Sequence, residues 1–228
     1  MSEINPFTNA AEADEWIDYV GKYHRRLYED FFATELNTWL ADVPDDATVL
    51  DIGCGEGVAA DFITQLYIGV EPSERLLTTA RENSSGSPLR EWLPGTATNL
   101  PLRDASIEAA FSVSVLLHVA DLSAAFSELA RTLKPGGRFF FIVPNPTDIS
   151  MWERLYYDKT LDTPELMIGS IDTPYTLHNN HFYKHSADDY KMALNKAHFD
   201  ILMEKLLVYY PKEQNHIYWL VSGVLTHR

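Results

Sequence analysis

The sequence predicts an α/β fold: a doubly wound, mostly parallel seven-stranded sheet with helices on both faces, closed by a C-terminal antiparallel hairpin. Three observations predict it. Short apolar strand patterns alternate with helical ones between Ala47 and Val143, as in chains that build parallel sheets from βα repeats. A glycine-rich bend, Gly53-Cys54-Gly55-Glu56-Gly57, follows the first of those strands, where such sheets hold a nucleoside. Two further apolar segments, Phe199 to Tyr209 and Ile217 to Thr226, flank the turn-rich stretch Pro211 to Asn215 and read as a hairpin.

Each element has a local reason. Ahead of the sheet, Trp16, Tyr19, Val20, Tyr23, Leu27 and Phe31 recur on one helical face, so this segment packs as a helix. Ala47 to Ile52 and Leu66 to Val70 are the first two strands, and Leu89 to Leu93 is a short third that runs into a proline. Ala109 to Val115 and Phe139 to Val143 are the fourth and fifth. Between those two, Leu122, Ala125, Phe126, Leu129 and Leu133 lie at helical spacing, with Asp121 placed to cap the start and Pro135-Gly136 to end it. A long insertion, Asn145 to His185, precedes a last helix at Ala187 to Lys196.

The chemistry concentrates in Val49-Leu50-Asp51-Ile52-Gly53-Cys54-Gly55-Glu56-Gly57 and in Gly69-Val70-Glu71-Pro72. Glycines in the bend permit positive φ and let a ligand approach the backbone. Glu71 lies twenty residues after Asp51, at the tip of the next strand, where an acid accepts bonds from both ribose hydroxyls. A hydrogen bond to a charged acceptor contributes roughly 1.5–3 kcal/mol. The same charge repels a ribose that carries a 2′-phosphate. A dinucleotide fingerprint needs a small residue where Val58 stands, and Glu56 opposes a pyrophosphate. No G-x-x-x-x-G-K-[ST] motif is present. The bend therefore reads as a site for a nucleoside without phosphates.

These residues resemble the class I S-adenosylmethionine-dependent methyltransferases, particularly their small-molecule branch. The likeness runs well past the first bend. Gly95-Thr96-Ala97-Thr98-Asn99-Leu100-Pro101-Leu102-Arg103-Asp104-Ala105-Ser106 is similar to that family's adenine-binding stretch. Val115-Leu116-Leu117-His118-Val119 is similar to its segment after strand four, and Leu133-Lys134-Pro135-Gly136-Gly137-Arg138-Phe139 to its turn into strand five.

The resemblance implies S-adenosyl-L-methionine as cofactor and S-adenosyl-L-homocysteine as product. Asp51, Gly53, Cys54, Gly55, Glu71 and Pro72 are then expected around it, with Thr96 and Ala97 at the base. Val113 and Ser114 are expected near the methionine end. Thr96 stands where members usually carry an aspartate for the adenine amino group, so its hydroxyl or a main-chain group of Ala97 takes that part. The N-terminal helix is expected to lie over the cofactor, with Tyr23 and Arg26 as contacts, the latter gripping the methionine carboxylate through two parallel bonds. The expected organisation is one domain over residues 1–228: a helical cap (1–46), a cofactor-binding core (47–143), a substrate lid (144–186), and the closing helix and hairpin (187–228).

Methyl transfer from a sulfonium asks mainly for alignment and exclusion of water, and good alignment offsets roughly 7–11 kcal/mol of barrier. An amine acceptor need only arrive neutral, whereas a hydroxyl must lose a proton. His118 is the candidate base, because it follows strand four at the carboxyl end of the sheet; packing beside the cofactor is its other reading. Tyr175 to His185 concentrates polar and aromatic groups where such folds build a lid, and His178, His181 and Tyr183 are its candidate acceptor contacts. Trp152, within Met151 to Tyr157, is the candidate apolar wall. The spacing of His178, His181 and His185 matches no zinc signature, and no metal is expected.

Bulk properties fit. A chain of 228 residues with 46% apolar content is long enough for one well-buried core. The lone cysteine, Cys54, forms no internal disulfide and suggests a reducing compartment. Met1 to Asn9 lacks a basic region followed by an apolar one, and no segment reaches the length of a membrane span, so a cytoplasmic location is expected. A net charge of −15 opposes phosphate backbones, which favours a small-molecule methyl acceptor over nucleic acid. The alternatives are an RNA- or tRNA-modifying methyltransferase and a non-catalytic paralogue that only binds S-adenosylmethionine. No pattern in the chain specifies an oligomeric state.

Overall fold

Ten strands occur among the described residues of the computed structural model, which are 10–19, 25–84, 87–147, 156–157, 166–171, 177–209 and 216–226. They are β1 (Thr48–Ile52), β2 (Leu66–Glu71), β3 (Arg90–Pro94), β4 (Ile107–Val113), β5 (Leu133–Pro144), β6 (Tyr156–Tyr157), β7 (Leu166–Ile171), β8 (Leu177–Tyr183), β9 (Phe199–Tyr209) and β10 (His216–Leu225). Seven form the central sheet in the order β3-β2-β1-β4-β5-β10-β9. The first five are mutually parallel, and β10 runs antiparallel to both β5 and β9. Chain order reverses between β1 and β4, so a crevice opens there at the carboxyl ends of the strands.

Parallel strands covered on both faces read as nearly unbroken apolar runs, and β4 buries six of its seven residues. The period of two appears in β5. Phe139 and Phe141 join one core with Phe126, Leu129, Tyr190, Leu194 and Trp219. Phe140 and Ile142 join the opposite core with Leu36, Trp39, Leu40 and Val49. The covering helices are α1 (Ala10–Tyr19), α2 (Arg25–Leu27), α3 (Ala33–Leu40), α4 (Glu74–Asn83), α5 (Leu122–Thr132) and α6 (Ala187–Lys196). Thus α3 lies on one face and α5 and α6 on the other, as the doubly wound pattern requires. Three starts are capped by side chains. Asp121 accepts from the Ala124 amide at 2.9 Å, Ser73 from the Leu76 amide at 3.4 Å, and Ser186 forms a reciprocal box with Asp189.

Several features differ from the sequence reading. Leu133 is not the end of the α5 stripe: its backbone turns extended and pairs with Ile107, so β5 begins six residues before Phe139. Strand β4 stops at Val113 because Ser114 takes φ +58°, which no strand accommodates. The third strand ends on Pro94, tolerable only because β3 is an edge. Before the sheet, a π turn at Tyr28–Phe32 adds a residue to the helical repeat. Tyr28 and Phe32 are consequently buried, while Leu27 and Phe31 lie only partly so.

The insertion holds a second, three-stranded antiparallel sheet in the order β6-β7-β8. The segment expected as a polar loop therefore contains a strand, β8. It lies against α1 and against the turn Leu116–His118 that follows β4. Among the described residues, no helix is long and apolar enough to cross a membrane.

Candidate cofactor site

The bend after β1 is shaped by its neighbours on two sides. The Gly53 and Cys54 amides both donate to the Val70 carbonyl, at 2.8 and 3.2 Å, which turns the chain towards the end of β2. Gly53 has φ +77°, and a Cβ there would fall 2.4 Å from Cγ2 of Val115. Only glycine fits. Gly55 also has positive φ, but a Cβ on it would meet nothing nearer than the Trp16 indole nitrogen at 3.9 Å. This is the open side of the bend, where a ligand can approach the backbone.

Glu71 closes the site from β2 and is only 6% exposed. Its Oε1 accepts from the Ser73 amide at 2.9 Å and its Oε2 from the Gly55 amide at 3.4 Å, so the carboxylate is fixed against the bend. Burial pushes its pKa up to about 7, with the two amides pulling the other way. A carboxylate so placed retains lone pairs for two hydroxyl donors, which suits a nucleoside.

Two more acids lie close by. Asp51, 2% exposed, sits beneath the bend and accepts from the Tyr67 hydroxyl at 2.6 Å. Its pKa is raised to about 7 by burial, opposed by the Tyr67 bond and reinforced by the charges of Glu71 and Glu56. Glu56, 7% exposed, is pushed up to about 7 chiefly by burial, and accepts a hydrogen bond from Trp16. That bond ties α1 to the bend, as the 2.6 Å ion pair between Asp14 and Arg75 ties α1 to α4. Sequence reasoning gave Glu56 only a repulsive part; an acid inside a glycine bend was the available signal.

These shifts fix a pH dependence. Each acid has a folded value near 7, above its ordinary 3.8 or 4.5, so folding favours the protonated form. The associated stability is present in full below about pH 4 and is lost as pH rises through about 7. The ligand-free protein should therefore melt at a lower temperature at pH 8 than at pH 6. A melting temperature that does not fall over this interval would show that the acids are already ionised in the fold.

The other expected contacts are distributed as follows. Cys54 is buried, and a Cβ on Gly69 would lie 2.7 Å from its Sγ, so its small side chain packs inward. Burial raises the thiol well above its ordinary range, which leaves it unreactive. Pro72 follows Glu71 at the rim, half-buried. Thr96 and Asn99 close a tight turn by two backbone bonds of 3.1 and 3.4 Å, with Ala97 buried and the Thr96 and Thr98 hydroxyls 3.2 Å apart. Val113 and Ser114 stand at the carboxyl end of β4, and the positive φ of Ser114 is the kind of strain that collects at functional sites. Half-buried His118 follows in the next turn.

Arg26 is exposed; its neighbour Arg25 is the arginine whose charge reaches Glu56, and it also pairs with Asp61 at 2.5 Å. Tyr23 and Trp152 lie outside the described residues. His178 and His181 lie on β8, where the backbone alone is described, and Tyr183 stacks on His185 with ring centroids 6.0 Å apart. His185, in turn, has Nε2 2.7 Å from the Val119 carbonyl, fastening the end of β8 beside the His118 turn. Sequence reasoning placed His185 in the polar segment without assigning it this anchoring part. Among the described residues, no three His, Cys, Asp or Glu side chains are grouped to hold a metal.

Comparison with known proteins bears on this geometry. Residues 50–141 match the family described as Methyltransferase domain. A fatty-acid O-methyltransferase from Mycolicibacterium smegmatis is 29% identical over 150 residues, 63% of this chain and 52% of that protein. A tRNA (carboxymethyluridine(34)-5-O)-methyltransferase from Macaca fascicularis is 29% identical over 136 residues, 55% of this chain and 20% of that protein. The chain thus spans about half or less of the curated relatives it matches. A solved SAM-dependent methyltransferase from Methanosarcina mazei has the same fold, with a TM-score of 0.69 and 16% identity over 84% of this chain and 98% of that one. The matched residues, 50–141, run through the glycine bend, Glu71 and the Thr96 turn, so this part of the chain is similar to a methyltransferase domain, and the chain shares the fold of solved S-adenosylmethionine-dependent methyltransferases.

Proposed function

We propose that the protein transfers the methyl group of S-adenosylmethionine to oxygen or nitrogen of a small-molecule acceptor. The observation that carries the cofactor half is the buried Glu71 carboxylate, held by two backbone amides against the open side of the glycine bend. It is the acceptor pair that ribose hydroxyls need. When bound, the cofactor supplies an electrophilic methyl group whose S–C electron pair stays on sulfur as the new bond forms.

The chain's part is to align the acceptor, exclude water and handle one proton. Alignment falls to the crevice between the ends of β1 and β4, with β8 lying over the turn after β4. His118 in that turn accepts the proton of a hydroxyl or ammonium acceptor, while Tyr183, at the end of β8, contacts the acceptor from the insertion. A carboxylate acceptor would arrive already ionised and would need no base. The fatty-acid O-methyltransferase relative favours oxygen, and a net charge of −15 favours a small molecule over a phosphate backbone. One observation favours a second reading, in which the acceptor is a tRNA base: the tRNA methyltransferase relative.

The test uses methyl-labelled S-adenosylmethionine with a panel of carboxylic acids, phenols, amines, bulk cellular tRNA and unmodified tRNA transcripts, after calorimetry with S-adenosylhomocysteine. Label in a small molecule supports the proposal, and label confined to tRNA replaces it with the second reading. Binding without transfer to any class identifies a non-catalytic paralogue. Against a phenol or amine that accepts label, His118→Ala should lower turnover roughly 10²–10⁴-fold, the usual contribution of a positioned base, with little change in cofactor affinity.

A further inference from the structure

The residues between β3 and β4 carry the proposed base-binding turn, and their main chain is anchored at both ends. At one end the Gly95 amide donates to the main-chain oxygen of Glu71 at 3.3 Å, so the turn starts from the proposed ribose residue. At the other end stands Arg131, in the last turn of α5. Its Nη2 donates to the Leu100 carbonyl at 3.1 Å and its Nη1 to the Leu102 carbonyl at 2.8 Å. Glu128, one turn earlier, receives Arg131 through both oxygens at 2.7 and 2.8 Å. The same Glu128 Oε2 accepts from the Leu100 amide at 2.9 Å. Both main-chain groups of Leu100 are therefore held by one ion pair.

We propose that the Arg131–Glu128 pair is a positioning device for the cofactor base, a proposal that rests on the function stated above. Thr96 to Asn99 is held by main-chain bonds at its two ends, from Glu71 and from this pair, with Ala97 packed in the core between them, so the pair fixes where the Leu100 end of the turn stands before a ligand arrives. A turn that had to be ordered on binding would weaken binding by the entropy of fixing it. The guanidinium suits the task because its planar fork serves two carbonyls and a carboxylate together, which an ammonium point charge does not. Asp104, which also accepts from Arg131 at 2.7 Å, has a side chain 78% exposed and touches none of the loop's main-chain groups through that bond. An exposed pair of that kind contributes little.

Calorimetry with two ligands tests this: S-adenosylhomocysteine, and S-ribosylhomocysteine, which lacks the base. Arg131→Met should weaken S-adenosylhomocysteine about tenfold, equivalent to ~1.4 kcal/mol, while leaving S-ribosylhomocysteine within about twofold of the wild type. Arg131→Lys should recover part of the loss, and Asp104→Ala should bind both ligands as the wild type does. Glu128→Gln, which keeps the shape but loses an acceptor for Leu100, should show the same base-selective loss and serves if Arg131→Met does not fold. Folded variants that bind both ligands normally, or lose both equally, overturn the proposal by making the pair merely structural. Failure of the cofactor reading is separable, because the wild-type chain would then bind neither compound.

Discussion

Replacing Glu71 with Ala should weaken S-adenosylhomocysteine binding on the order of a hundredfold or more, since two charge-assisted bonds at roughly 1.5–3 kcal/mol each are removed. The side chain is almost wholly buried and its carboxylate is fixed by the Ser73 and Gly55 amides, so little reorganisation offsets the loss. Glu71→Gln separates charge from shape: it keeps one acceptor oxygen and should fall between wild type and Ala. A pH dependence follows from the same residue. Ribose hydroxyls are bound best by the ionised carboxylate, yet burial holds Glu71 at about 7 in the ligand-free protein. Binding must then release a proton, and affinity should rise as pH goes from 6 towards 8, levelling once Glu71 is ionised. Glu71→Gln should flatten that part of the profile. Wild-type affinity in Glu71→Ala at pH 7 would remove the ribose assignment, and with it the orientation of the cofactor in the crevice.

What could be read in the chain was what local chemistry dictates. Glycines at Gly53 and Gly55 announce backbone that other residues resist, and an acid at the tip of the next strand has few structural reasons to be there. Hence the bend and Glu71 were legible. The alternation that places Phe139 and Phe141 on one face and Phe140 and Ile142 on the other is equally local, and the sheet followed from it. Contacts between distant segments were not legible. Nothing near Trp16 says that its indole will meet Glu56, and nothing near Arg131 says that it will hold carbonyls some thirty residues back. Leu133 satisfies both a helical stripe and the start of a strand, and its pairing with Ile107 decides between them. The polar, histidine-rich stretch before His185 lacks the apolar alternation of a half-buried strand, yet Leu177–Tyr183 pairs with β7 through its backbone.

Three glycines with left-handed backbone should separate stability from ligand binding. Gly53→Ala meets two penalties: about 1–2 kcal/mol for an L residue in that conformation, and typically 1–3 kcal/mol for overpacking against Val115, whose Cγ2 would lie 2.4 Å from the new methyl. The expected cost is ~2–5 kcal/mol, a large fraction of a domain's stability. Gly136→Ala isolates the first penalty, because φ there is also +77° and nothing lies within 4 Å of the added carbon. It should cost ~1–2 kcal/mol and leave cofactor affinity alone. Gly55→Ala has the same backbone strain and almost as much space, with Trp16 Nε1 at 3.9 Å the nearest atom, so its stability should match Gly136→Ala. Yet its methyl would project into the open side of the bend beside the Glu71 carboxylate, so S-adenosylhomocysteine binding should fall in Gly55→Ala but not in Gly136→Ala, at the same small cost in stability. Adding Val115→Ala to Gly53→Ala should restore only part of the packing share of the loss, because the remaining Cβ at 115 would still lie 3.0 Å from the new methyl, and none of the backbone share. Denaturant titrations of the four variants, with calorimetry on the folded ones, give both readouts. If Gly55→Ala bound the ligand normally, the open side of the bend would not be where the cofactor lies, whatever the family resemblance implies.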